Sequence, residues 1–124
     1  MFMSFISAIG TATPSGIFTQ STIAEFMIRA MQLDEDDARK IRVLFRASGI
    51  ETRHSVIDDY GKRDQFTFYE NTLALDPFPT TRRRVTLYQQ HALSISLEAV
   101  HSCLGSRPEI KKESITHLLV VSCT

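Results

Sequence analysis

The segment ITHLLVVSCT, Ile115 to Thr124, constrains this chain more than any other stretch. Its apolar residues, Ile115 and Leu118 to Val121, run on instead of alternating. That is the pattern of a strand covered on both faces, as in the middle of a sheet, and not of a half-solvated edge. The stretch before it is helical in period. Pro79-Thr80-Thr81 opens a helix expected to reach about Leu104, with Val85, Tyr88, Ala92, Ile95 and Ala99 at alternating spacings of three and four. Leu93, Leu97, Val100 and Leu104 lie beside that stripe, so the helix is expected to be buried on more than one side. Gly105 and Pro108 stop it. A helix leading into a buried strand is the second half of a crossover unit, which places the chain in the α/β class. A chain of 124 residues is one domain at most.

The rest of the chain reads the same way. Phe5 to Ala12 is a first strand, ended by Gly10, Pro14 and Gly16. Ile23, Phe26, Met27, Ala30 and Met31 then share one helical face, with Gln20, Ser21 or Thr22 as N-cap. A second helix follows Asp34, its cap. Glu35, Asp36 and Asp37 precede Arg39, Lys40, Arg42 and Arg46, the charge order that suits the helix dipole. Ile41, Leu44 and Phe45, beside Ala38 and Ala47, form its expected buried stripe, and Ser48-Gly49 its stop. Glu51 to Ile57 reads as a strand. Asp58 to Pro79 is irregular but rich in aromatics, which makes it a loop packed onto something.

Composition narrows the partners. Lys and Arg together number 14, as do Asp and Glu, and the net charge of zero argues against nucleic acid or an anionic membrane as the main partner. No run approaches the roughly 20 apolar residues of a membrane span. Met1 to Gly10 has no basic region to make it a signal peptide. Cys103 and Cys123 do not make a disulfide framework and read as free thiols in a reducing compartment, so a cytoplasmic location is expected. His91 and His101 lie on different faces of one helix while His54 and His117 are isolated, so no metal site is expected. The glycines are solitary, with no phosphate loop. Arg82-Arg83-Arg84 sits in a first turn, where the dipole disfavours cations; a solvated run and an anion site both remain open. Lys40, Arg42 and Arg46 admit two readings. They pair with the acids of their own helix, or they hold the phosphates of a nucleotide-like group such as coenzyme A. Cys123, at the C-terminal end of a buried strand, lies where α/β sheets place ligands.

The order of motifs resembles a known family. IGTATP is followed by a Gln-led helix (TQSTIAEF), a basic helix ending in SGI, then RHSV, then PTT with Arg and Tyr beyond it, and finally ITHLLVVSCT. From about Ile9 to Thr124 this resembles the N-terminal portion of the type III polyketide synthases, the chalcone and stilbene synthase-like enzymes of the thiolase superfamily. Ketoacyl synthase III and hydroxymethylglutaryl-CoA synthase families share the opening strand and general order, and match RHSV and SCT less well.

The resemblance implies the N-terminal part of a layered α/β/α thiolase-like fold, incomplete, with residues 1–124 a single partial domain. It implies a homodimeric acyltransferase that loads an acyl-CoA starter onto a Cys, decarboxylates malonyl-CoA to an enolate and joins the two, with a His and an Asn steadying the oxyanion. Coenzyme A thioesters are substrates, and no cofactor is implied. The family's nucleophile, His and Asn motifs are absent, so no catalytic residue is expected within this chain, and the isolated piece is expected to be inactive. Among the family's coenzyme A-binding cations Lys40 aligns best, with Arg42 and Arg46 displaced from the usual positions. Cys123 and Thr124 match pocket-lining positions. The expected partner is a second copy or the remainder of the enzyme. In a competing reading, the chain is a short non-catalytic binding partner of a full synthase.

Overall fold

The computed structural model describes residues 4–122. Their elements run β1 (Gly16–Thr19), α1 (Gln20–Ala30), α2 (Glu35–Ala47), β2 (Thr52–Ser55), a 3-10 turn (Asp58–Gly61), α3 (Thr81–Gly105) and a second 3-10 turn (Lys112–Ser114). Mixed helix and sheet is the α/β class expected, and an incomplete piece of a thiolase-like fold accommodates it. Two compact units divide the chain, one of residues 14–84 and one that joins the N-terminal stretch to residues from Val85 onward.

In the 14–84 unit, β1 pairs antiparallel with β2, with Gly16 opposite Ser55 and Thr19 opposite Thr52. Thr19 ends the strand and caps α1, its side chain accepting the N–H of Thr22 at 3.1 Å. The cap thus lies one residue before the expected candidates. Asp34 caps α2 as expected, accepting the N–H of Asp37 at 2.9 Å. At its far end Gly49 takes the left-handed conformation, φ 68°, that only glycine adopts at little cost. Of the stripe expected on α2 only Ala38 is buried, and Leu44 is 64% exposed.

Aromatic rings build the core of this unit. Phe26 of α1 meets Tyr60, Phe66 and Tyr69 edge to face, with centroids 5.1, 5.9 and 5.1 Å away, and Leu75 closes the cluster. Asp59 organises the loop that delivers these rings. Fully buried, it accepts the N–H groups of Thr67, Phe68 and Tyr69 and the Thr67 hydroxyl at 2.8–3.0 Å. Burial, the largest single influence, pushes its pKa up; the Thr67, Tyr69 and Phe68 N–H groups and the Thr67 hydroxyl together outweigh it and hold the carboxyl below its ordinary value. Arg83 then clamps the loop onto the first turn of α3. It donates to Glu70 at 2.8 Å and to the Thr67 carbonyl at 2.9 Å, over the face of Phe68. A cation in a first turn is unfavourable by the dipole alone, and these loop acceptors offset that cost.

In the other unit, α3 has the expected length and almost the expected ends. None of its residues is buried. Residues 4–13 form no strand. The segment lies against α3 instead, so close that a Cβ on Gly10 would run into the Ala99 carbonyl and the Cys103 backbone nitrogen. Arg107 fastens it, donating to the Ser7 carbonyl at 2.9 Å. The closing strand is likewise not formed over residues 115–122, where Leu118 to Val121 are each 79–95% exposed. A strand needs neighbours to take its backbone hydrogen bonds, and no described residue supplies them.

Candidate functional site

The site is built where α1 and α2 diverge beside β2. Small buried residues, Ala24 and Ala30 on α1 and Ala38 on α2, let the helices pack closely. Gln20 ties their ends together. Its buried amide donates to the Ser48 hydroxyl at 3.0 Å and accepts from Arg53 of β2 at 3.0 Å, while its backbone N–H reaches the Glu51 carbonyl at 2.9 Å. Between these ties lies a cleft of about 630 Å³. Thr19, Gln20, Ser21 and Glu25 line one side, Arg42, Phe45 and Arg46 the other, and Gly49 to Glu51 close the end.

The three sequence-predicted cations divide between two faces of α2. Arg42 and Arg46, one turn apart, line the cleft with Phe45. Lys40 does not line it; its ammonium pairs with Asp37 at 2.6 Å on the exposed surface. Arg39 likewise pairs with Asp36, three residues before it, at 3.1 Å.

Arg42 is already occupied. Its Nε and Nη2 donate to the two oxygens of Glu25 at 2.7 and 3.2 Å, and Nη1 reaches Glu35 at 3.3 Å. The hydrogen bond from Arg42 holds the Glu25 carboxyl below its usual range against a smaller effect of burial, and the same bond raises the Arg42 pKa. Arg46 has no hydrogen-bond or ion-pair partner among the described residues. Its guanidinium faces a cleft with an apolar wall at Phe45 and Ile50, which suits an anionic group carried on a flat or aliphatic body. Glu51 is a second acid in the lining, so the cleft is neutral overall.

The lining holds no histidine or cysteine. Among the described residues no group of His, Cys, Asp or Glu could hold a metal ion, and no helix is long and apolar enough to cross a membrane. Cys123 and Thr124, the expected pocket-lining pair, lie outside the described residues. Cys103 is a free, half-buried thiol on α3. Sequence reasoning missed Gln20 and Glu25. The only available signal was the Gln at the head of TQSTIAEF, a polar residue where a buried face begins.

No family model matches the chain, and no solved structure does. Two curated proteins are similar to it. Type III polyketide synthase pspB of Penicillium soppii is 25% identical over 121 residues, which cover 97% of this chain and 28% of that protein. Type III polyketide synthase C of Arabidopsis thaliana is 26% identical over 118 residues, 94% of this chain and 29% of that protein. The chain therefore spans less than a third of the length of the curated relatives it matches, and its similarity to type III polyketide synthases is distant but runs almost from end to end.

Proposed function

We propose that this chain is the N-terminal portion, a single partial domain, of a type III polyketide synthase-like acyltransferase. In this reading an acyl-CoA starter is loaded as a Cys thioester, malonyl-CoA is decarboxylated, and the resulting enolate attacks the thioester carbon and displaces the Cys thiolate. The nucleophile and the oxyanion donors belong to sequence beyond this chain. The observation that carries the reading is similarity across 97% and 94% of the chain to two proteins, from a fungus and a plant, that share one name.

Within this reading the cleft on α2 takes the phosphate-bearing end of coenzyme A. Arg46 is the main contact, and Arg42 is a second one, engaged when the anion displaces Glu25. Lys40, the cation that the family resemblance favours, lies on the other face of the helix, and the two placements make opposite claims. In the complete enzyme, loss of a uniform binding contact raises KM with little change in kcat. Radiolabelled malonyl-CoA with a series of acyl-CoA starters, given to the protein as its host makes it, tests the activity. Labelled condensation products are expected, and decarboxylation without carbon–carbon bond formation, or no turnover of any thioester, would contradict the reading. The same assay on Arg46→Ala and Lys40→Ala decides the face. A raised KM for Lys40→Ala alone would move the site to the outer side of α2.

A further inference from the structure

A second cleft, of about 310 Å³, opens between α1 and the 3-10 turn, and its electrostatics differ from those of the first. Three cations line it, Arg29, Lys62 and Arg63, with the hydroxyl residues Ser21 and Thr22 and an aromatic wall of Phe26 and Tyr60. Its one carboxylate, Glu25, is already held by Arg42 at 2.7 and 3.2 Å. Lys62 stands 3.6 Å from Asp59, whose oxygens already accept four closer hydrogen bonds from Thr67, Phe68 and Tyr69.

Arg29 is the anomaly. Its guanidinium lies over the rings of Phe26 and Phe66, at 5.5 and 5.3 Å, and donates once, to the Lys62 carbonyl at 2.8 Å. Its Nε is buried with no acceptor, and no carboxylate pairs with it among the described residues. Buried cations are normally paired, because a desolvated charge without a counter-charge is costly. Arg63 beside it is exposed and also has no partner among the described residues. Lys62 is balanced by Asp59 and Glu25 by Arg42, so the two guanidinium groups, Arg29 and Arg63, leave an unmet positive charge around the cleft.

We infer that this cleft is a binding site for a phosphate monoester of a small molecule. A tetrahedral dianion would take the forks of Arg29 and Arg63 and the charge of Lys62, with Ser21 and Thr22 able to donate further. The flat wall of Phe26 and Tyr60 receives the ester's apolar or aromatic body. The site shares Ser21 and Glu25 with the Arg46 cleft but has its own cations, Arg29, Lys62 and Arg63, and needs no condensation chemistry, so its test does not depend on the acyltransferase reading.

Calorimetric titration with phenyl phosphate and with inorganic phosphate tests it. Saturable binding is expected for both, tighter for phenyl phosphate. Arg63→Ala, a change at an exposed position, is expected to weaken binding by about tenfold, the cost of one charged hydrogen-bonding contact. Arg29→Lys, which keeps the charge and removes the fork, is expected to weaken it as well, with circular dichroism confirming an intact fold. In Arg46→Ala, which removes the cation of the other cleft, the binding that Arg63→Ala weakens is expected to persist. No saturable binding, binding that Arg63→Ala leaves intact, or inorganic phosphate bound as tightly as phenyl phosphate would each overturn the assignment.

Discussion

Residues 14–84 and residues 85–122 are both rich in apolar residues and use them in opposite ways. Every buried residue among those described lies between Gln20 and Pro79. There the chain carries both halves of each contact: Phe26 on a helix, Tyr60, Phe66 and Tyr69 on the loop that folds over it, and Asp59 to hold that loop in shape. From Val85 onward helical periodicity is satisfied locally by α3, yet Leu93, Leu97 and Val100 remain 42–69% exposed and Leu118 to Val121 more so. A helix closes its own backbone hydrogen bonds, whereas a strand borrows them from neighbours. The contrast separates what a segment achieves alone from what it requires of a partner surface. An exposed apolar run of this kind marks an interaction surface or an aggregation liability.

Substitutions on the two sides should therefore differ most in stability. Phe26→Ala removes the hub of the ring cluster and is expected to cost about 3–5 kcal/mol in urea unfolding, while Leu119→Ser, at a residue 92% exposed, should cost almost nothing. Equal effects would erase the distinction.

Asp59→Asn comes next, at about 2–4 kcal/mol, because it leaves buried backbone N–H groups short of acceptors. It also sets a pH dependence. The folded-state pKa of Asp59 lies below its ordinary 3.8, so its contribution is complete above that value and is lost as pH falls below it through the folded-state pKa. Wild-type stability should drop in that acid window more steeply than that of Asp59→Asn, as acid titrations of unfolding would reveal.

Gly10→Ala sharpens the comparison from the other side. It pushes a methyl group into the Ala99 carbonyl and should cost about 1–3 kcal/mol. The effect should appear as faster amide exchange at residues 7–12, with residues 20–75 unaffected. The smallest change in stability belongs to Arg46→Ala, expected within about 0.5 kcal/mol because the side chain makes no hydrogen bond or ion pair among the described residues. Its effect should appear in coenzyme A binding instead, with a loss of about fivefold to tenfold in a direct titration.

What was legible in the sequence follows the same division. Asp34 as a cap, Gly49 as a stop and the span of α3 were read almost to the residue, because helix ends are set by local hydrogen bonds and backbone freedom. The aromatic loop was recognisable as packed, though nothing in DDYG announced that Asp59 would be its organiser, since a buried carboxylate is recognised by donors far along the chain. The strands at Phe5 to Ala12 and Ile115 onward had the right residues for a sheet but lack neighbours among the described residues. At the site, the three cations of α2 stood out as a group, but which of them share a face with Phe45 depends on how α1 packs, and that packing divides Lys40 from Arg42 and Arg46. Glu25 could not be foreseen as the partner of Arg42, being 17 residues away on another helix.

The central claim is that the candidate site rests on a region that holds its own shape while the remainder lacks its covering surface. Hydrogen–deuterium exchange across the 124-residue chain tests this directly. Strong protection is expected over α1 and the Asp59-bonded amides of Thr67 to Tyr69, with amides from Leu118 to Val121 exchanging at nearly the rate of unfolded peptide. Protection over Leu118 to Val121 equal to that of α1 would contradict the account.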